Sequence, residues 1–165
     1  MELSTCDLSD MHGDAARVLE PGLVHFGGSR RFHGTVATAE CFEDNTELKK
    51  LVATPGEGRV IVVDGGGSTR CALLGDMVAG EALANGWAGI VVNGCVRDAA
   101  ALATMEIGVM ALATSPRRSQ KNGAGSVNVP VEVLGVRISP DELLVADDDG
   151  IVVLDAALAA GPRTV

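Results

Sequence analysis

Aromatic side chains are nearly missing from this sequence: Phe26, Phe32, Phe42 and Trp87 are the whole set, and tyrosine is absent. The core must therefore be built from Val, Leu, Ile and Ala rather than from rings. Positive charge is also short, with thirteen Lys and Arg against twenty-two Asp and Glu and a formal charge of −9. Such a balance repels phosphate backbones and anionic lipid, which argues against direct nucleic-acid binding. No apolar run approaches the ~20 residues of a membrane span. The opening "MELSTCDLSD" lacks the basic and apolar regions of a secretion signal, so a cytoplasmic protein without a membrane partner is expected. Cys6, Cys41, Cys71 and Cys95 form no C-x-x-C pair and have no histidine at zinc-finger distance, and read as free thiols in a reducing compartment.

What is present is glycine, at 21 positions, and a run of alternating elements that reads as one domain over residues 1–165. A first helix is expected within "STCDLSDMHGDAARVL", closed by Pro21 and Gly22. "RFHGTVATAECF" reads as a strand bulged at Gly34, and "NTELKKLVA" as a helix capped by Asn45. "RVIVVDGG", "AGIVVNG" and "GVMALAT" are continuous apolar runs, as parallel strands covered on both faces tend to be. "LGDMVAGEALANG" and "RDAAALATM" lie between them as helices, which implies right-handed crossovers and a parallel core. After Pro116, short β-rich pieces cut by Gly, Pro and Asp predict antiparallel sheet or a small barrel wall. The class is α/β, a central mixed sheet flanked by helices.

Two junctions carry chemistry. In "NGCVRD", a glycine turn brings Arg97 and Asp98 to the point where a buried strand hands over to a helix, the crevice where α/β proteins place ligands. A surface ion pair would contribute little there. In "LGDMV", the free amides and positive end of a helix beginning near Gly75 form a carboxylate cradle. Together they supply an anion cradle, an arginine for a carboxylate or enolate oxygen, and two carboxylates, Asp76 and Asp98, able to hold a hard divalent ion. The loop "VVDGGGSTR" has neither phosphate-loop nor S-adenosylmethionine-loop glycine spacing, so a methyltransferase reading rests on glycine content alone and a tight turn is expected.

The stretch "GDMVAGEALANGWAGIVVNGCVRD", with Asp76, twenty intervening residues, then Arg97 and Asp98, resembles the signature of the family containing regulator of ribonuclease activity A and the class II 4-hydroxy-4-methyl-2-oxoglutarate aldolases. "TCDLSD" and "ISPDELLVADDDGIVVL" extend the resemblance over almost the whole chain. It implies a swivelling β/β/α-type fold, a ring-shaped homotrimer and sites between subunits. It further implies that Asp98 ligates Mg²⁺ or Mn²⁺ and that Arg97 binds a 2-oxo acid. Gly75, Asp76, Met77 and Val78 would present amides to the substrate carboxylate, and the Asp76 side chain would hold metal-bound water. The implied activity is cleavage of 4-hydroxy-4-methyl-2-oxoglutarate to pyruvate, decarboxylation of oxaloacetate, or both. The other family role is non-catalytic binding of a ribonuclease E-type enzyme, for which an acidic ring suits a basic partner segment. Aldolases of the family tend to carry Glu or Asp three residues after the metal aspartate; this sequence has Ala101 there. Decarboxylation needs no such base.

Other residues read as structural. His12, His25 and His33 lack ligand spacing, Cys95 reads as a small buried hydrophobe, Trp87 as core, and Asp147 to Asp149 as a solvated turn.

Overall fold

The computed structural model describes residues 3–159. Helix α1 (Thr5–His12) and a 3₁₀ turn (Gly13–Ala15) lead into two short strands, β1 (Arg17–Val18) and β2 (Val24–His25). Then come β3 (Phe32–Glu40), α2 (Thr46–Val52), β4 (Val60–Asp64), β5 (Ala72–Leu74), α3 (Asp76–Ala84), β6 (Gly89–Val96), α4 (Ala99–Leu102) and β7 (Gly108–Thr114). The described residues finish with β8 (Ser126–Val127), the hairpin β9 (Val131–Val133) and β10 (Val136–Ile138), then β11 (Leu143–Ala146), β12 (Ile151–Leu154) and α5 (Ala156–Ala159).

One curled sheet runs β1-β12-β11-β3-β4-β6-β7-β2, with β5 beside β6 and β8 beside β3. The expected parallel strands β4, β6 and β7 are joined by β3, and the antiparallel wall expected after Pro116 is β11 and β12, flanked by β3 and β1. β3 joins the two: residues 32–35 pair with β11 and residues 36–40 with β4. Gly34 sits at that changeover. It forms no bulge; a side chain there would run into the Gly58 carbonyl, so the glycine serves close backbone approach.

Alternation along each strand divides the core. Ile61 and Val63 of β4, Ile90 and Val92 of β6, and Val109 and Ala111 of β7 face Leu48, Val52, Ala79, Ala82 and Leu102 of the helices. Val60, Val62, Val91 and Met110 point into the curl, where Phe32 and the β9–β10 hairpin fill the interior. Burial on both faces explains why these strands show as unbroken apolar runs. Trp87 is core, as expected, and its indole N–H donates to the Thr54 carbonyl at 3.1 Å.

The first helix is shorter than the sequence suggests. Gly13 turns to φ +56° and ends it, and Arg17 and Val18 pair with Val153 and Val152 instead. Asp147 corrects the reading of "DDDG" as wholly solvated. It is 4% exposed and accepts from the Thr5 amide (2.8 Å) and hydroxyl (2.7 Å), fastening α1 to the turn before β12. Burial alone would push this carboxyl up, but the Thr5, Asp149 and Gly150 donors outweigh it and hold it below the ordinary value. A depressed carboxyl stabilises the fold above the unfolded pKa of about 4 and loses that contribution as pH falls further. Urea unfolding at stepped pH should show stability dropping below about pH 4, with a shallower drop in Asp147→Asn.

Among the described residues no helix is long and apolar enough to cross a membrane.

Candidate functional site

The carboxyl ends of β5 and β6 open into a cleft of about 400 Å³. β5, a three-residue strand with no periodic signal of its own, pairs with the end of β6 and so sets Gly75 beside Arg97 and Asp98. The Arg97 amide donates to the Leu74 carbonyl at 2.9 Å, and the Asp76 amide donates to Asp98 Oδ2 at 3.1 Å. A Cβ built on Gly75 would lie 2.5 Å from Asp98 Oδ2, so a side chain there would displace the Asp98 carboxylate from its present position. "NGCV" is not the expected turn: Asn93 to Val96 continue β6, with a register irregularity between Val92 and Cys95.

Asp98 adopts a left-handed conformation, φ +58° and ψ +42°, one that aspartate tolerates better than most residues. Its side chain does not cap α4, which runs only four residues; it reaches instead to the start of α3. Gly75 is the N-cap of α3, and the first-turn amides of Met77 and Val78 have no intrahelical acceptor. All six expected residues, Gly75, Asp76, Met77, Val78, Arg97 and Asp98, line the one cleft. The glycines after Asp64 do not line it; Gly65 and Gly67 donate to the Asn93 carbonyl in a tight turn.

Six further polar lining residues escaped the sequence reading: Asn45, Lys49, Glu81, Arg118, Ser119 and Lys121. Asn45 precedes α2 but its side chain does not cap it; the amide donates to the Leu73 carbonyl (3.0 Å) and its oxygen accepts from Lys121 Nζ (3.1 Å). Ser119 Oγ is buried and has no hydrogen-bond partner among the described residues. With Arg97, the wall holds four of the chain's thirteen basic side chains. Lys121 is pushed below the ordinary lysine range by burial first, then by Lys49, Arg118 and Arg97. The one available signal was the knot of cations just after Pro116 in a chain otherwise rich in acid.

The donors suit a hard cation held sparsely. Asp76 and Asp98 bring carboxylate oxygens to one end of the cleft, and no group of three or more metal-ligating side chains occurs among the described residues. Magnesium tolerates such a site, since it keeps several waters and takes one or two carboxylates. Cys95 is fully buried and all four cysteines are free thiols.

A curled mixed α/β sheet with a cleft lined by basic and carboxylate side chains at its parallel strand ends defines the architectural class. The RraA-like family model, described as Aldolase/RraA, matches residues 5–153, and the chain belongs to that family. A relative from Burkholderia multivorans, named "Putative 4-hydroxy-4-methyl-2-oxoglutarate aldolase", is 53% identical over 96% of this chain and 99% of its own. The Thermus structure titled as the RNA-processing inhibitor RraA superposes with a TM-score of 0.90 at 47% identity, over 93% of each chain. A Geobacillus kaustophilus structure titled S-adenosylmethionine: 2-dimethylmenaquinone methyltransferase superposes at 0.94 with 43% identity, over 97% of this chain and 99% of that one.

Proposed function

We propose that this protein is a 2-oxo acid lyase, assisted by Mg²⁺ or Mn²⁺, that cleaves 4-hydroxy-4-methyl-2-oxoglutarate to two molecules of pyruvate and decarboxylates oxaloacetate to pyruvate and CO₂. The observation that carries the reading is the convergence of Arg97, the α3 amides, the Asp76–Asp98 carboxylates and a three-cation wall in one cleft. The names of relatives near 50% identity support it. Both substrates are dicarboxylates. The Met77 and Val78 amides suit the carboxylate beside the keto group, and Lys49, Arg118 and Lys121 suit the far one.

Asp98, with Asp76 beside it, would hold the cation, whose bound form supplies Lewis-acid stabilisation of negative charge on the keto oxygen. Arg97 places a guanidinium where that charge develops as the C–C bond breaks. Aldol cleavage also requires the tertiary alcohol to lose its proton; Ala101 offers no base, and in this reading Asp76, which lines the cleft, would take it through a water. The glycine turn stands outside the cleft and gives a methyltransferase no cofactor loop here. Homotrimer assembly completes the open site in this reading, with Met77, 85% exposed at the cleft mouth, as one contact; sedimentation at micromolar concentration should give a trimer.

The direct test is pyruvate release from oxaloacetate, present with Mg²⁺ and lost on chelation. Arg97→Ala should slow it by on the order of 2 to 4 kcal/mol of transition-state free energy. The similarity to the RNA-processing inhibitor favours one second reading, a ribonuclease-binding regulator. Binding of a basic ribonuclease segment should then fall steeply with salt and survive Arg97→Ala.

A further inference from the structure

Residues 119–124 belong to no strand or helix, yet they carry Ser119 and Lys121 into the cleft. One buried carboxylate ties them to the start of α2. Asp44, 3% exposed, accepts through Oδ1 from the Thr46 amide (2.9 Å) and hydroxyl (2.6 Å), and through Oδ2 from the Asn122 amide (2.6 Å). Thr46 Oγ1 in turn accepts from the Gly123 amide at 3.1 Å. Two backbone bonds close the clasp, Asn45 N–H to the Gln120 carbonyl (3.3 Å) and Gln120 N–H to the Glu43 carbonyl (2.9 Å). Beyond the clasp, Lys121 reaches Asn45 although Lys49, Arg118 and Arg97 repel it, with Asp44 the acidic group that opposes them.

We propose that Asp44 is a positioning residue: its buried carboxylate clamps residues 119–124 so that Lys121 presents its ammonium to the far carboxylate of the substrate. This rests on the lyase reading of the cleft. A buried acceptor with three or more donors cannot be replaced without leaving donors unpaired, so the clasp should loosen as a unit. Burial works to raise the Asp44 carboxyl, but the Thr46, Asn122 and Ala124 donors prevail and bring it down to about 2, so it stays charged wherever the enzyme would work.

Asp44→Asn keeps the shape and removes the charge. Amide hydrogen exchange at Asn122 and Gly123 should quicken by about tenfold or more, while the amides of β6 stay protected. The KM for oxaloacetate should rise by about tenfold with kcat within about threefold, and in a Lys121→Met background Asp44→Asn should add less than about twofold to KM. Unchanged exchange at Asn122 and Gly123 overturns the clamp. Multiplying KM effects, or a fall in kcat at constant KM, overturns its action through Lys121. Should the wild-type protein not turn over oxaloacetate, the lyase reading fails while exchange still decides the clamp. Thr46→Val, which removes the same bridge by one hydroxyl, replaces Asp44→Asn if that variant does not fold.

Discussion

Asp98→Asn should lose at least about a hundredfold of the Mg²⁺-dependent oxaloacetate decarboxylation, the scale expected when Lewis-acid stabilisation is withdrawn. Asparagine is the informative choice. It shares aspartate's tolerance of the left-handed φ of +58°, and its side-chain oxygen can still accept from the Asp76 amide. Alanine would add a backbone cost of about 1 kcal/mol to the lost charge. The side chain is exposed, so the melting temperature should move by no more than a few degrees. Both measurements are simple: pyruvate formation above the free-Mg²⁺ background, and a thermal melt. An Asp98→Asn protein as fast as wild type would mean that Asp98 does not hold the metal, and that its role ends with the contact to Asp76.

The largest effect on stability is expected at Gly108, far from that chemistry. The Phe32 ring lies inside the curl against Gly89 of β6 and Gly108 of β7, and a Cβ on Gly108 would overlap Cγ, Cδ1 and Cε1 of the ring. The clash is with the body of a buried ring, not the tip of a mobile chain. Phe32 has no free direction: the His25 ring stands edge-on at 6.5 Å and the hairpin residues fill the rest of the interior. Gly108→Ala should therefore cost about 3 kcal/mol, the upper part of the overpacking range. Phe32→Ala should cost a similar amount by leaving a cavity. The double variant should cost clearly less than the two together, since each change accommodates the other. Urea unfolding of the four proteins measures this; a Gly108→Ala cost under about 1 kcal/mol would show that the ring can shift after all.

The elements legible in the sequence were those whose pattern and burial agree. β4, β6 and β7 announce themselves because both faces are covered, and the approach of Gly75–Val78 to Arg97–Asp98 follows once the strands are parallel. Illegible features depend on partners distant in sequence. Asn93 and Gly94 carry a turn signal, but Asn93 pairs with Asp64 of β4 and the strand runs on through Cys95 and Val96, which pair with β5 and β7. Asn45 looks like a helix cap, yet its amide serves Leu73. Asp44 and Asp147 resemble surface acids, and each is buried by donors that come from a segment far along the chain. The cationic wall was missed for the same reason: Arg118 and Lys121 lie in a segment with no periodicity to read, and it meets Lys49 of α2 only after folding.

The order of the sheet has a consequence for biosynthesis. β1 and β2 are separated by only a short link, yet they stand at opposite ends of the strand path, and β1 finds its partner in β12, where Arg17 faces Val153. During synthesis β1 must therefore wait for β12. At roughly 5–20 residues per second that interval is on the order of ten seconds, during which the nascent chain carries a bare strand edge at each margin of its growing sheet. Chaperones that shield such edges would have their natural window here, before β12 closes the wall.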